Sequence, residues 1–359
     1  MRIILSGGGT GGSVTPLLAV AEELEKQESG IEFLFIGTRQ GIPEKKLVEG
    51  QDIPYQSIFS GKLRRYLSWR NMIDPFFIIF GFIQSFFIIL KFKPRAILSA
   101  GGFVAVPLSW AGWFLRVPIF IHQQDMIPGL ANKLMAPLAR KITVSFEKSL
   151  ADFKINKTVL TGNPVRHWIL AGNKLRAIKK FNLEHNLPTI LILGGGTGAQ
   201  KINQLIEEIQ AQLTKSCQII HCTGIEPASN NNQALAVNSR YHPYKFLKKA
   251  MTDAYAIADV VISRAGMGVL TELSFLAKPT ILIPIPDSHQ EINAHYFAKQ
   301  KAVILLDQKN LTPQLLQEKI YQLIASTDQR SVLSLNMSKL VQPRAAQKIA
   351  DLVLTLIKK

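Results

Sequence analysis

The feature that most constrains this chain is a glycine-rich loop between a strand and a helix, and it occurs twice. Gly7-Gly8-Gly9-Thr10-Gly11-Gly12-Ser13-Val14-Thr15-Pro16 follows the apolar Ile3-Ile4-Leu5 and precedes a helix-patterned run from Leu17. Gly194-Gly195-Gly196-Thr197-Gly198-Ala199 follows the strand-like residues 189–193 and precedes an amphipathic helix over 200–213. Glycines allow positive φ and close approach of a ligand, and the helix start beyond offers free N–H groups and positive dipole. One such loop could be only a tight turn, but here a second pattern also repeats. Ile97-Leu98-Ser99-Ala100-Gly101-Gly102, a helix and Val117-Pro118-Ile119-Phe120-Ile121 are echoed by three later segments. These are Val260-Val261-Ile262-Ser263-Arg264-Ala265-Gly266-Met267-Gly268, a helix over 269–276, and Pro279-Thr280-Ile281-Leu282-Ile283. Two α/β domains with doubly wound parallel sheets, facing each other across a cleft, are expected, and 359 residues suit two cores.

Gly7, Gly9 and Gly12 satisfy the dinucleotide fingerprint G-x-G-x-x-G, which also expects an acidic residue at the end of the next strand to bind ribose. Here Thr38-Arg39 follows that strand, so a nicotinamide or flavin dinucleotide is not supported. The formal charge of +17 calls for an anionic partner. No basic recognition helix or aromatic RNA-binding motif points to nucleic acid. The N-terminus lacks a signal-peptide pattern, so a cytoplasmic chain is expected. Cys217 and Cys222 read as ordinary near-core thiols, and no His or Cys cluster has metal spacing.

Between the basic Lys62, Arg64, Arg65 and Arg70 and the basic Lys91, Lys93 and Arg95 lies a greasy helix from Phe76 to Leu90, with Asp74-Pro75 expected to cap its start. It is shorter than the roughly 20 residues of a transmembrane helix and is not expected to span a bilayer. Phe76, Phe80, Ile83, Phe87 and Leu90 share one face at helical spacing, the face a plain reading assigns to the core. Phe77, Ile78, Phe82, Phe86 and Ile89 remain, leaving Gly81, Gln84 and Ser85 as a weakly polar stripe. A helix apolar on nearly all sides between basic flanks favours peripheral membrane contact over complete burial.

Polar residues at strand ends face the ligand crevice of open parallel sheets, which marks His122-Gln123-Gln124-Asp125, although a His at such a place, taken alone, is more often a hydrogen-bonded structural residue. The polar residues 171–188 read as the connection between domains. Glu272, in the helix opened by Gly266, Met267 and Gly268, is placed to bond ribose hydroxyls, unless it is a plain surface Glu. Leaving-group charge is assigned to helix dipoles, Arg264, or both.

The two glycine loops, Gly101-Gly102-Phe103-Val104, His122-Gln123-Gln124, Gly129-Leu130-Ala131-Asn132-Lys133, Gly162-Asn163-Pro164-Val165-Arg166, Arg264-Ala265-Gly266 and His289-Gln290 occur in an order that resembles the MurG family. These are UDP-N-acetylglucosamine transferases that convert lipid I to lipid II in peptidoglycan synthesis. The resemblance implies a GT-B fold. Its domains are an acceptor and membrane domain over 1–166, a UDP-GlcNAc domain over 167–340, and a terminal helix over 341–359 packing back on the first. It implies donor contacts from Thr10, Gly11, Gly12, Asn132, Arg166, Gly196, Thr197, Asn203, Arg264, Gly266, Met267 and Gly268. Glu272 resembles the ribose ligand, Leu247 the residue whose backbone reads uracil, and His289 with Gln290 the pair on the sugar hydroxyls. Acceptor contacts fall to Gly12, Ser13, Thr15, Gly102 and Phe103, the loop glycines giving the acceptor pyrophosphate access to backbone amides. Membrane contacts fall to Phe76, Phe77, Phe80, Phe82, Trp110 and Trp113.

His289 stands where the family usually has Gln, and two further departures concern chemistry: Ser13 stands where the first loop usually has His, and Gln123 where the strand end usually reads His-Glu-Gln. A serine hydroxyl of ordinary pKa cannot take the acceptor proton at neutral pH, so Asp125 or His122 is expected to do so. The partners implied are UDP-GlcNAc, lipid I and anionic inner-leaflet phospholipid at the cytoplasmic face, with cell-wall synthesis proteins as candidates. No cofactor is required, and a divalent metal is allowed but not indicated. The alternatives are another lipid-linked GT-B transferase acting on a glycolipid, or a non-catalytic nucleotide-sugar-binding membrane protein.

Overall fold

The computed structural model describes residues 1–9, 11–41, 44–61, 70–194, 199–224, 239–247 and 249–358. Thr10, Gly196, Thr197, Lys62, Arg64 and Arg65, all named above, lie outside the described residues. The chain divides into two units, Met1–Arg166 with Gln342–Lys359, and His167–Val341.

The first unit is built on β1 (Arg2–Ser6), β2 (Glu32–Gly37), β3 (Tyr55–Ser57), β4 (Ala96–Ser99), β5 (Ile119–Gln123), β6 (Lys141–Val144) and β7 (Thr158–Leu160). They form one parallel sheet in the order β3-β2-β1-β4-β5-β6-β7. The chain adds strands toward one edge from β1 to β3 and toward the other from β4 to β7, so the loops after β1 and β4 lie at the topological switch point. Successive side chains of a strand face opposite sides, and both sides here are covered. Ile3 and Leu5 pack with α1 (Thr15–Gln27) and with the last helix of the chain, Ala345–Ile357. Ile4, Ile97, Ile119 and Ile142 pack under a second layer. That layer is α3 (Arg70–Phe92), α4 (Ala105–Phe114) and α5 (Leu130–Met135); α2 (Glu44–Glu49) is a short turn beside β2 and β3. Ile3, Ile4 and Leu5 are wholly buried, each stabilising the fold by about 1.5–3 kcal/mol relative to exposure.

The greasy helix differs from its sequence reading in two ways. It begins at Arg70, so Pro75 lies inside it rather than at its start. Its segment Asp74–Phe92, 19 residues of mean hydropathy 2.0, is long and apolar enough to cross a membrane by length and composition. Its orientation agrees with the reading that kept it from complete burial and is opposite to the plain assignment of its periodic face to the core. The stripe that faces inward is Gly81, Ser85 and Ile89, while Phe76, Phe80, Ile83, Phe87 and Leu90 are exposed. The reason is steric and polar. A Cβ on Gly81 would stand 2.0 Å from the Phe59 carbonyl oxygen, so only glycine admits that backbone, and Gln84 Oε1 accepts the Phe59 N–H at 2.8 Å. The helix is also the crossover from β3 to β4, both its ends being tied to strands of one sheet.

The second unit repeats the plan with β8 (Thr189–Leu193), β9 (Gln218–Cys222), β10 (Tyr241–Tyr244), β11 (Val260–Ser263), β12 (Thr280–Leu282) and β13 (Ile304–Leu305). The sheet is parallel, in the order β10-β9-β8-β11-β12-β13. Its helices are α6 (Lys174–Phe181), α7 (Gln200–Leu213), α8 (Met251–Ile257), α9 (Met267–Phe275), α10 (His289–Lys299), α11 (Pro313–Ala325) and α12 (Thr327–Ser338). Residues 171–188 are not a free connection. Asn173 caps α6 by accepting the Arg176 N–H at 2.9 Å, and Phe181 is buried. Arg176 Nε and Nη2 both donate to Asp253, at 2.8 and 2.6 Å, which holds that carboxyl below the usual range. The stretch reads as a linker because its outward face is basic, whereas Ala177 and Phe181 supply its packing.

Candidate functional site

The polar loops of each unit gather at the carboxyl ends of its strands. In the first unit the chain leaves β1 through Gly7, Gly8 and Gly9. Gly9 has φ +88°, and a Cβ there would meet the Phe103 ring at 3.1 Å. Gly102, at φ +94°, is pressed against Gly8: an added Cβ would stand 2.7 Å from the Gly8 carbonyl oxygen. Gly102 and Phe103 therefore form one surface with the first loop. Behind it lies a residue the sequence reading missed. Glu44, fully buried, accepts the Gly9 N–H at 2.8 Å, the Thr38 N–H at 2.6 Å, the Thr38 hydroxyl, and the Tyr55 hydroxyl at 3.0 Å. In sequence it is an ordinary first-turn helix glutamate. The Gly9 amide, engaged by a carboxylate, is not available to a phosphate, which corrects the idea that all the loop glycines serve an anion. Gly11, Gly12 and Thr15 are half-buried beyond it, and Ser13 is buried with its hydroxyl beside Gly7.

At the end of β5, His122 is enclosed. Its Nδ1 lies 2.9 Å from the Thr143 hydroxyl and its Nε2 2.8 Å from Asn163 Oδ1. A neutral ring with hydrogen on Nε2 satisfies both partners, and burial pushes its pKa down to about 4. With both nitrogens engaged, His122 offers no lone pair to an acceptor hydroxyl, so the geometry argues against it as the base. Gln123 is buried too. Its Nε2 donates to the carbonyls of Asp125 and Ile127 at 2.8 and 3.1 Å, and its Oε1 accepts from Asn132 Nδ2 at 2.6 Å. Asp125 is thereby held on a fixed turn, half-buried. Glutamate at 123 could not donate to those carbonyls, which gives the departure from His-Glu-Gln a structural meaning. Arg166, half-buried, closes the unit.

In the second unit, Arg264 follows β11. Its buried guanidinium donates through Nη1 to the carbonyls of Ile283 at 2.9 Å and Pro284 at 3.2 Å, and burial lowers its pKa. Gln290 Oε1 accepts the N–H groups of Ala265 and Ile285, joining the loop after β11 to the loop after β12. α9 starts at Met267 with Gly266 as N-cap and no side-chain cap, and the space at Gly266 is open. Glu272, half-buried, accepts the Tyr255 hydroxyl at 2.9 Å, so it is not a plain surface glutamate. His289 is exposed at the first position of α10, Gly268 lies within α9, and Leu247 is buried after β10. Asn203 is buried with its amide engaged, Oδ1 by His221 Nε2 at 3.0 Å and Nδ2 by the Thr223 carbonyl at 2.9 Å. These bonds tie its amide to the loop framework and leave the second Nδ2 hydrogen for another acceptor. Cys217 and Cys222 are buried thiols pushed up to about 12 by burial.

His221 repeats the His122 arrangement, with the Tyr241 hydroxyl 2.8 Å from Nδ1 and a pKa pushed down to about 3 by burial. Both rings are neutral in the fold and bind protons more readily when unfolded. Stability is therefore full above pH 6.5 and falls as pH drops from there toward the folded values. By pH 4.5 each histidine is expected to cost about 2–3 kcal/mol. Thermal melts between pH 7.5 and 4.5 check this: His221→Gln is expected to flatten the decline, and an unaltered slope would refute it.

The exposed apolar residues of α3 adjoin those of α4. Trp110, Trp113 and Phe114 are exposed, and Phe114 contacts the Phe82 and Phe86 rings at 6.5 and 6.1 Å between centroids. Phe77 is exposed and stacks on Phe59, while Phe82 is half-buried. Lys91, Lys93, Arg95 and Arg116 are exposed at the ends of these helices. Such a continuous apolar face is larger than scattered surface residues explain.

Two doubly wound parallel-sheet units with glycine turns at strand ends define a two-domain α/β fold of the GT-B type. Residues 3–144 match the glycosyltransferase family 28 N-terminal domain and residues 189–353 the family 28 C-terminal domain, so the chain belongs to glycosyltransferase family 28. A relative from Clostridium botulinum strain Langeland is 38% identical over 356 residues, 98% of each chain. One from Bacillus cereus is 39% identical over 315 residues, 87% of this chain and 88% of the relative. Both are named UDP-N-acetylglucosamine–N-acetylmuramyl-(pentapeptide) pyrophosphoryl-undecaprenol N-acetylglucosamine transferases. Among solved structures, Acinetobacter baumannii MurG aligns over 99% of this chain and 100% of its own, at 26% identity and TM-score 0.72. A UDP-GlcNAc 2-epimerase from Neisseria meningitidis, 14% identical with TM-score 0.71, shares the fold.

Proposed function

We propose that this glycosyltransferase moves GlcNAc from UDP-GlcNAc to the C4 hydroxyl of MurNAc in lipid I, with inversion at the anomeric carbon, yielding lipid II for peptidoglycan synthesis. The observation that carries the reading is near-40% identity along almost the whole chain to transferases named for that donor and acceptor. In this reading the second unit takes the donor: Glu272 the ribose, the Leu247 backbone the uracil, His289 and Gln290 the sugar hydroxyls. Arg264, with the start of α9, meets the charge of the departing UDP. The resemblance also assigns Gly11, Gly12, Asn132 and Arg166 to the donor, and Gly12, Ser13, Thr15, Gly102 and Phe103 to the acceptor. Asp125 accepts the C4 hydroxyl proton, and no cofactor is required.

The apolar face of α3 and α4 with its basic neighbours supports docking at an anionic inner-leaflet surface, where a lipid-linked acceptor resides. Cell-wall synthesis proteins remain candidate partners at that face. Incubation with UDP-GlcNAc and a short-chain lipid I analogue, read by mass spectrometry, tests the reaction. The disaccharide product with one UDP released per transfer is expected. Transfer only to a glycolipid acceptor, or binding of UDP-GlcNAc without UDP release, would overturn it.

A further inference from the structure

We propose that Glu44 is a positioning residue for the first glycine loop, holding Gly9 in place so that the loop presents its surface to the acceptor. The acceptor half of this inference rests on the function proposed above. The geometry divides the carboxylate between two tasks. Oε2 takes the Gly9 N–H at 2.8 Å, while Oε1 takes the Thr38 N–H at 2.6 Å and the Tyr55 hydroxyl at 3.0 Å. The loop is thereby tied to the carboxyl end of β2 and the edge strand β3. Tyr55 is itself fixed, stacked on Phe35 with ring centroids 5.9 Å apart, and its one hydroxyl hydrogen is shared between Glu44 and the Thr38 carbonyl, 2.7 Å away. From the other side Gly102 packs on the Gly8 backbone and Phe103 on Gly9. A loop of consecutive glycines has more backbone freedom than any other sequence, so a fully buried anchor on one amide selects its conformation. A buried carboxylate left with one donor removed is costly, which makes the selection strong.

Glu44→Gln in the full chain replaces one acceptor oxygen by an NH2 group that must face a donor on one side or the other. Hydrogen–deuterium exchange of the peptide over residues 7–13 is expected to speed up at least tenfold, with the rest of the unit unchanged. With UDP-GlcNAc and the short-chain lipid I analogue varied in turn, kcat/KM for the analogue is expected to fall at least tenfold. The KM for UDP-GlcNAc, whose assigned contacts include Gly11 and Gly12 but lie mostly in the second unit, should rise less than the KM for the analogue. Tyr55→Phe, which leaves the Gly9 bond in place, should resemble the wild type in both measurements. Should Glu44→Gln fail to fold, Glu44→Asp keeps the charge but shortens its reach, and an intermediate rise in exchange over 7–13 is expected. Unchanged exchange over 7–13, exchange raised uniformly across the unit, or a change in the UDP-GlcNAc KM alone would each overturn the proposal. If the wild-type chain yields no product from the analogue, the acceptor reading fails, and exchange over 7–13 still decides whether Glu44 positions the loop.

Discussion

Asp125→Asn is expected to lower turnover by about 10²- to 10⁴-fold, the range over which a positioned general base acts, with the KM for UDP-GlcNAc within threefold of wild type. Two neighbouring groups are unfit for the role. Ser13 is buried beside Gly7, and His122 has one nitrogen facing Thr143 and the other facing Asn163. Asp125 instead stands just beyond β5, and its backbone is held by Gln123 Nε2 at 2.8 Å. Fixing that backbone limits where the carboxylate can stand, and misplacement by an ångström is itself expensive in rate. The contrast variant is His122→Asn. It is expected to lower stability through the Thr143 and Asn163 contacts while the folded enzyme keeps most of its turnover. Steady-state rates on both variants decide the matter: Asp125→Asn within threefold of wild type would remove Asp125 from the role.

Much of the fold was legible because parallel strands buried on both faces read as short apolar runs, and glycine punctuates their ends. Residues 3–5, 97–99, 189–193 and 260–263 all show this, and the repeat between halves followed from them. What escaped reading depended on contacts between distant residues. Glu44 looks like any helix-start glutamate until Thr38, Tyr55 and Gly9 are seen to converge on it. His122 stood out in sequence as a polar strand-end residue, yet only Thr143 and Asn163, 21 and 41 residues away, reveal that it is enclosed. Residues 171–188 looked like a linker since basicity is visible in sequence and the pairing of Arg176 with Asp253 is not. Asp125, Glu272 and Arg264 were legible as site candidates by their place after strands, whereas their hydrogen-bond partners were not.

The triple variant Phe76→Ser, Phe80→Ser, Phe87→Ser is expected to lose at least a hundredfold in affinity for anionic phospholipid vesicles while its melting temperature stays within about 2 °C of wild type. Periodicity alone assigns these three to the core, and the opposite is found because the inward side of α3 must be small. Gly81 lies against the Phe59 carbonyl, Ser85 is buried, and Gln84 satisfies the Phe59 N–H. The phenylalanines are left 62%, 57% and 64% exposed, so their removal forfeits little packing within the fold. Each would gain about 1.5–3 kcal/mol on full burial in an apolar phase, and two-thirds of that from three rings, about 3–6 kcal/mol, exceeds a hundredfold in binding. Charge and apolar contact make separable contributions. Replacing Lys91, Lys93 and Arg95 by Ala should weaken binding mainly at low salt, since exposed charges are screened, whereas the phenylalanine variant should be weak at every salt concentration. Vesicle sedimentation across a salt series distinguishes them. Binding of the triple phenylalanine variant within threefold of wild type would mean that this face meets something other than lipid, and the crossover helix would then need a protein partner to account for its outward aromatic stripe.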